Sequence, residues 1–184
     1  ILDSNAAQIL VEIDRLSEIA RAFSRYGAPA DAAGPLMRVD VPAVIREALT
    51  LYRSGDRNVS YIDIVDSGMS YALARPDELK EVLLNLVENA RTALDGAGAI
   101  TIHAAQREDR IEIEIADNGP GIPPELLDRI FEPHFSTRSA GTGLGLAIVR
   151  RLVESWGGTV TADSEVGRGT SIRIRLQPAD PPPR

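Results

Sequence analysis

The chain has no cysteine. Disulfide frameworks and thiolate-ligated metals are therefore excluded, a usage compatible with a reducing cytoplasm. It has no long run of lysine and arginine, and its net charge is −7. A nucleic-acid surface needs a concentrated basic face, so that class of partner is set aside. No apolar run approaches the ~18 residues that a membrane span requires, and no signal peptide opens the chain. No internal repeat is visible. What is present is 43% hydrophobic content over 184 residues, enough for one full domain and an appendage.

The appendage comes first. Leu2, Ala6, Ile9, Ile13, Leu16, Ala20 and Phe23 follow a four-three spacing. That heptad seam predicts one long amphipathic helix over residues 1–27, packed against another helix rather than a broad core. A lone helix cannot bury its own seam, so the partner is expected from a second copy or from a segment outside this sequence. A helix folded back on its own domain is the simpler alternative. The chain begins inside this pattern, as a piece of a longer protein would. Residues 28–35, within "GAPADAAGP", read as a linker.

Residues 36–177 carry a different pattern. "VPAVIREALTLYR" is helical, and "NVSYIDIVD" and "SYALA" read as two strands of a hairpin. Residues 76–94 form the strongest helix, opened by Pro76, Asp77 and Glu78. The strands "AITIHAAQ" and "RIEIEIA" follow, then the helix "LGLAIVRRLVESW" and the strands "GGTVTADS" and "GTSIRIRLQ". Residues 178–184, rich in proline, are expected to be disordered. Helices and antiparallel strands in mixed order predict an α/β fold. Its form is a two-layer sandwich, one mixed sheet with helices on one face, preceded by the long helix.

Four stretches break the apolar pattern. Asn85 and Asn89 interrupt the buried stripe of helix 76–94 and lie four apart, so both leave one face. Two amide oxygens at that spacing can ligate a hard cation such as Mg²⁺, or they can hydrogen-bond a neighbouring loop. In "GTGLGLAIV", Gly141, Gly143 and Gly145 lead straight into a helix, whose bare N–H groups can receive a phosphate. In "DNGPGIP", Asp117 ends a strand and the chain turns through Gly119 and Gly121. "GRGT" at 167–170 is either a further piece of the same site or a plain hairpin turn.

As an ordered set these stretches resemble the catalytic and ATP-binding domain of sensor histidine kinases, in the GHKL superfamily with DNA gyrase and mismatch-repair ATPases. "LNLVENA" is similar to the N box, "DNGPGI" to the G1 box, "IFEPHFSTR" to the F box, "GTGLGLAI" to the G2 box and "GRGT" to the G3 region. The resemblance implies the Bergerat fold, with ATP and Mg²⁺ as cofactors. It implies that Asp117 accepts a hydrogen bond from the adenine amine, and a carboxylate, being acceptor-only, suits that donor. Gly119 and Gly121 clear space for the purine, Ile122 and Leu146 supply apolar contact, and Thr170 reaches the base edge directly or through water. Asn89 and Asn85 would serve metal and phosphates. Residues 123–142 would be a lid anchored by Phe131 and Phe135, and Gly141, Thr142, Gly143, Leu144 and Gly145 would complete the phosphate loop. Arg138 either approaches the terminal phosphates or is an exposed charge.

"EIDRLSEIARAFSRYG" is similar to the second helix of the dimerisation and phosphoacceptor domain, especially in nitrogen-regulation-type kinases. The resemblance implies a homodimer through that helix, a response-regulator receiver domain as partner, and a cytoplasmic core with any membrane anchor in segments outside this chain. The phosphorylated histidine is expected before residue 1. The chain's two histidines, His103 and His134, fit no phosphoacceptor pattern and read as exposed imidazoles. Thr92 and Ala93 stand where many members carry a cation and an aromatic. A GHKL hydrolase is the first rival reading; its water-activating glutamate would occupy the slot that Asn85 fills. A non-catalytic ATP-sensing dimer module is the second.

Overall fold

The computed structural model describes residues 34–53, 58–69, 71–136 and 142–180. The heptad helix over 1–27 lies outside them. The described chain runs β1 (Met37–Val39), α1 (Val41–Arg53), β2 (Val59–Val65), β3 (Tyr71–Ala74), α2 (Pro76–Ala93), β4 (Gly98–Arg107), β5 (Arg110–Asp117), α3 (Pro124–Leu127), α4 (Gly145–Ser155), β6 (Thr159–Glu165), β7 (Gly169–Leu176) and β8 (Pro178–Ala179).

A five-stranded mixed sheet in the order β2-β4-β5-β7-β6 forms one layer. Alternation along its strands sends Ile100 and Ile102, Ile111 and Ile113, and Ile174 to one face, where each is fully buried. Helices α1, α2 and α4 pack on that face. Burying each such aliphatic side chain contributes about 1.5–3 kcal/mol. Helix α2 starts on Pro76, with Asp77 and Glu78 complementing its N-terminal dipole, and it buries Leu79, Val82, Leu83, Leu86 and Val87. Trp156, 2% exposed, closes the far end of α4 and donates its indole N–H to Glu78 Oε2 at 2.9 Å. Arg75 binds the same carboxylate at 2.9 Å and also donates to the Gly34 carbonyl.

The opposite face is charged. Glu112 pairs in register with Arg175, and Glu114 with Arg173. Their side chains meet at 2.8 Å and 2.9 Å, and Asp163 on β6 lies 3.5 Å from Arg173. His103 sits on this face 3.5 Å from Asp66, partly covered rather than fully exposed as the sequence suggested.

Two further expectations are corrected. The stretches 58–66 and 70–74 do not form a hairpin. β2 runs parallel to β4 from Val59↔Gly98 to Val65↔Ala104, whereas β3 joins a small separate sheet between β1 and β8. The turn signals between the two stretches fit a hairpin and a departing strand equally well. The long-range match of β2 to β4 decides, and α2 crosses between those parallel strands. The tail expected to be disordered from 178 also begins as structure, because Pro178 and Ala179 pair with Ala72 and Tyr71.

Burial raises the Glu114 carboxyl, but hydrogen bonds from Ser171 and Arg173 outweigh it and hold the group below its ordinary value. A depressed folded value contributes stability above the unfolded value of about 4.3, and that contribution is lost as pH falls through the folded one. Glu114→Gln should therefore cost about 1 kcal/mol at pH 7, with the gap to the parent protein narrowing in urea melts taken below pH 4. A gap of equal size at both pH values would show that the charge on Glu114 does not stabilise the sheet.

Candidate nucleotide-binding site

At the carboxyl end of β5 the helix layer parts from the sheet and leaves a cleft of about 760 Å³. Asp117, Gly121, Ile122, Thr142, Gly143, Gly145, Leu146, Thr170, Asn85 and Asn89, all expected from the sequence, line it.

One end is apolar. Ile115 and Ile172 come from the sheet, Ile122 from the loop after β5, and Leu146 and Ile148 from α4. Asp117 and Thr170 stand there opposite each other in the β5–β7 register. The Asp117 carboxylate accepts the Gly119 N–H at 2.9 Å, which fixes its rotamer. Gly121 is held at φ +74°, and a Cβ there would overlap the Glu165 carbonyl. The turn that brings Ile122 over the cleft therefore accepts only glycine.

The other end is polar. Asn85 donates to the Glu81 carbonyl at 2.9 Å, one turn back, which turns its oxygen toward Gly145. A Cβ on Gly145 would lie 3.2 Å from Asn85 Oδ1 and 3.5 Å from Asn89 Nδ2, so both amides converge on the start of α4. Among the described residues no side chain caps that helix. The amide nitrogen of Asn89 is buried without a partner among the described residues. A buried unpaired amide costs on the order of 1–3 kcal/mol. A phosphate oxygen would satisfy its nitrogen, and a hard cation its oxygen once the amide turns over, so the residues present fit a metal-bound phosphate. Glu88, at the rim, is engaged by Arg91 at 3.0 and 2.7 Å and by Thr92.

The root of the expected lid is ordered. Arg129 lies over the Phe135 ring at 4.6 Å, and Arg150 of α4 lies 5.9 Å from the Phe131 ring centre. His134 N–H donates to the Gly143 carbonyl at 2.9 Å, joining the two stems. Arg138 and Gly141 fall outside the described residues.

Two expected contacts do not line the cleft. Leu144 is 1% exposed and packs into the core, so its side chain secures α4. Gly119 instead serves Asp117 through its N–H, and a Cβ there would press on that carboxylate and on the Ala93 carbonyl. Sequence reasoning also passed over two residues. Asn118 accepts the Ala99 N–H at 2.8 Å and holds the start of β4 against the turn. Ser164 accepts the Ile122 N–H at 2.8 Å. A serine in the inward alternation of Val160 and Ala162 was the available signal.

Residues 74–180 match the family described as histidine kinase-, DNA gyrase B-, and HSP90-like ATPase. The chain belongs to this ATPase family. Among its relatives, the sensor histidine kinase ZraS of Klebsiella oxytoca is 38% identical over 168 residues, covering 90% of this chain and 36% of that protein. The chain thus spans just over a third of the length of the curated relatives it matches first. Of solved structures, full-length ShkA in complex with AMPPNP superposes with a TM-score of 0.74 at 31% identity, over 90% of this chain and 36% of that one. The histidine kinase ThkA in complex with the response regulator TrrA gives 0.81 at 25% identity, over 97% and 52%.

Two glycines of this ATPase-family site separate space from strain. Gly145→Ala should keep the melting temperature, since alanine favours the helix, yet weaken Mg²⁺-ATP binding at least severalfold by crowding both asparagines. Gly121→Ala should instead destabilise the domain by about 1–3 kcal/mol. Melting curves and calorimetric titrations of both variants check this, and a Gly145→Ala protein that unfolds like Gly121→Ala would contradict it.

Proposed function

We propose that this chain is the ATP-binding kinase core of a two-component sensor histidine kinase. It serves transfer of the ATP γ-phosphoryl group to a histidine outside these residues, and thence to an aspartate of a response regulator. The observation that carries the reading is the convergence of Asn85 and Asn89 on the uncapped start of α4, with Asp117 and Thr170 at the apolar end of the same cleft. Adenine fits between Ile122, Leu146 and Ile172, its amine donating to Asp117. The N–H groups of Gly145 and Leu146 receive phosphate oxygens with the helix dipole behind them. Asn89 and Asn85 would hold Mg²⁺, which when bound neutralises phosphate charge. Arg138 would approach the terminal phosphates from the lid. The work of these residues is positioning and charge stabilisation.

Hydrolysis is disfavoured by the same geometry. Asn85 has no useful basicity near neutrality, and Glu88 is occupied by Arg91 and Thr92. Neither histidine is a suitable acceptor: His103 lies on the charged face of the sheet, away from the cleft, and His134 at the lid root. As the histidine-kinase resemblance implies, the proposal places the acceptor on a helix upstream of this sequence, and the heptad spacing of residues 1–27 supports a homodimer. The likeness to ThkA bound to its regulator supports a receiver domain as partner. No helix of the described residues is long and apolar enough to cross a membrane; a cytoplasmic core is part of the proposal.

At a hundred times its dissociation constant, Mg²⁺-ATP should stabilise the domain by ~2.7 kcal/mol. Thermal-shift titrations should respond to ATP and ADP and far less to GTP, and Asp117→Asn should remove the response without unfolding the protein. A longer protein that includes the upstream helix should take label from γ-labelled ATP, and Asn89→Ala in it should abolish the label. Equal shifts with GTP, or rapid phosphate release in place of protein label, would refute the reading.

A further inference from the structure

Ser164, Thr170 and Asp117 form one row across three strands. Thr170 on β7 is the register partner of both Ser164 on β6 and Asp117 on β5, so the three side chains share the cleft face of the sheet. Ser164 Oγ lies at the meeting of three hydrogen bonds: 2.8 Å from the Ile122 N–H, 2.8 Å from the Gly169 carbonyl oxygen and 2.9 Å from Thr170 Oγ1.

The protons in this cluster can be assigned. A serine hydroxyl carries one proton. The Ile122 N–H can only donate and the Gly169 carbonyl can only accept, so the Ser164 proton goes to Gly169. The contact with Thr170 then holds only if Thr170 gives its own proton to Ser164; otherwise two oxygens meet lone pair to lone pair. Thr170 is left with lone pairs alone to present to the cleft it lines.

We propose that Ser164 is a positioning residue that sets the polarity of Thr170, so that the base end of the cleft accepts hydrogen bonds at both Asp117 and Thr170. An exocyclic amine donates to such a pair, directly or through a water, whereas a purine carbonyl meets lone pairs on both sides. Selectivity for the amino-purine then rests on a serine that touches no ligand. The same hydroxyl holds Ile122 over the base, so the loop and the selectivity are set by one oxygen. This deepens the proposed function and rests on its placement of the base at Asp117.

The experiment is calorimetric titration of the whole chain with Mg²⁺-ADP and Mg²⁺-GDP. In Ser164→Ala the Thr170 hydroxyl is released and can turn its proton to the cleft, so the preference for ADP should fall about fivefold, the worth of one neutral hydrogen bond. Ser164→Thr, which keeps a hydroxyl, should restore it. A purely structural serine would weaken both nucleotides by the same factor, and that result, or an unchanged preference, overturns the proposal. If Ser164→Ala does not fold, Thr170→Val decides: ADP should weaken while GDP holds or tightens, and a larger loss for GDP refutes the assignment. A parent protein that binds neither nucleotide removes the proposed function and this inference with it. A parent that binds ADP, with variants that shift both nucleotides together, removes only the inference.

Discussion

The antiparallel register between β5 and β7 is the constraint on which the site depends. Side chains alternate along a strand, so a slip of one residue would send every isoleucine of β5 to the charged face and every glutamate into the core. The pairing is held from both sides at once. Ile113 meets Ile174 under the helices, and Glu114 meets Arg173 on the outer face. Carried to its end, the same register sets Asp117 against Thr170, and β6 adds Ser164 to the row. The selectivity of the cleft is thus a consequence of how the core is packed several residues away.

The helices contribute by what they leave uncovered. α2 buries an apolar stripe along the sheet, and Asn85 and Asn89 lie at its margin, where α4 begins. Because α4 enters through glycine and no side chain among the described residues caps it, its first N–H groups and the two amides share one small volume. Among the described residues the charged outer face carries no helical layer, so the whole cleft opens on a single side of the sheet. Cross-strand ion pairs of this kind contribute little energy each, and their regular spacing does more to fix alignment than to raise stability.

Much of this was legible in the sequence because the relevant signals are local. Alternation located β4, β5 and β7, helical spacing located α1, α2 and α4, and the order of the glycine and asparagine stretches pointed to one cleft. What escaped depends on distant partners. The parallel pairing of β2 with β4 leaves no local mark, and the turn after β2 suited a hairpin. Leu144 and Gly119 sat inside recognisable motifs, yet one faces the core and the other serves a neighbour's carboxylate. Ser164 belonged to no motif, since its importance comes from three hydrogen bonds made to residues on two other segments.

The clasp at the back of the domain has a consequence for how freely the linker can vary. Arg75 reaches across to the Gly34 carbonyl while gripping Glu78, which in turn receives the indole of Trp156. Every specific side chain in that chain of contacts belongs to the folded domain, and Gly34, among the described residues, contributes only a peptide oxygen. Any residue supplies such an oxygen. The point where the polypeptide enters the domain can therefore stay fixed in space while the letters of the linker drift, and the burden of sequence memory falls on an arginine, a glutamate and a tryptophan.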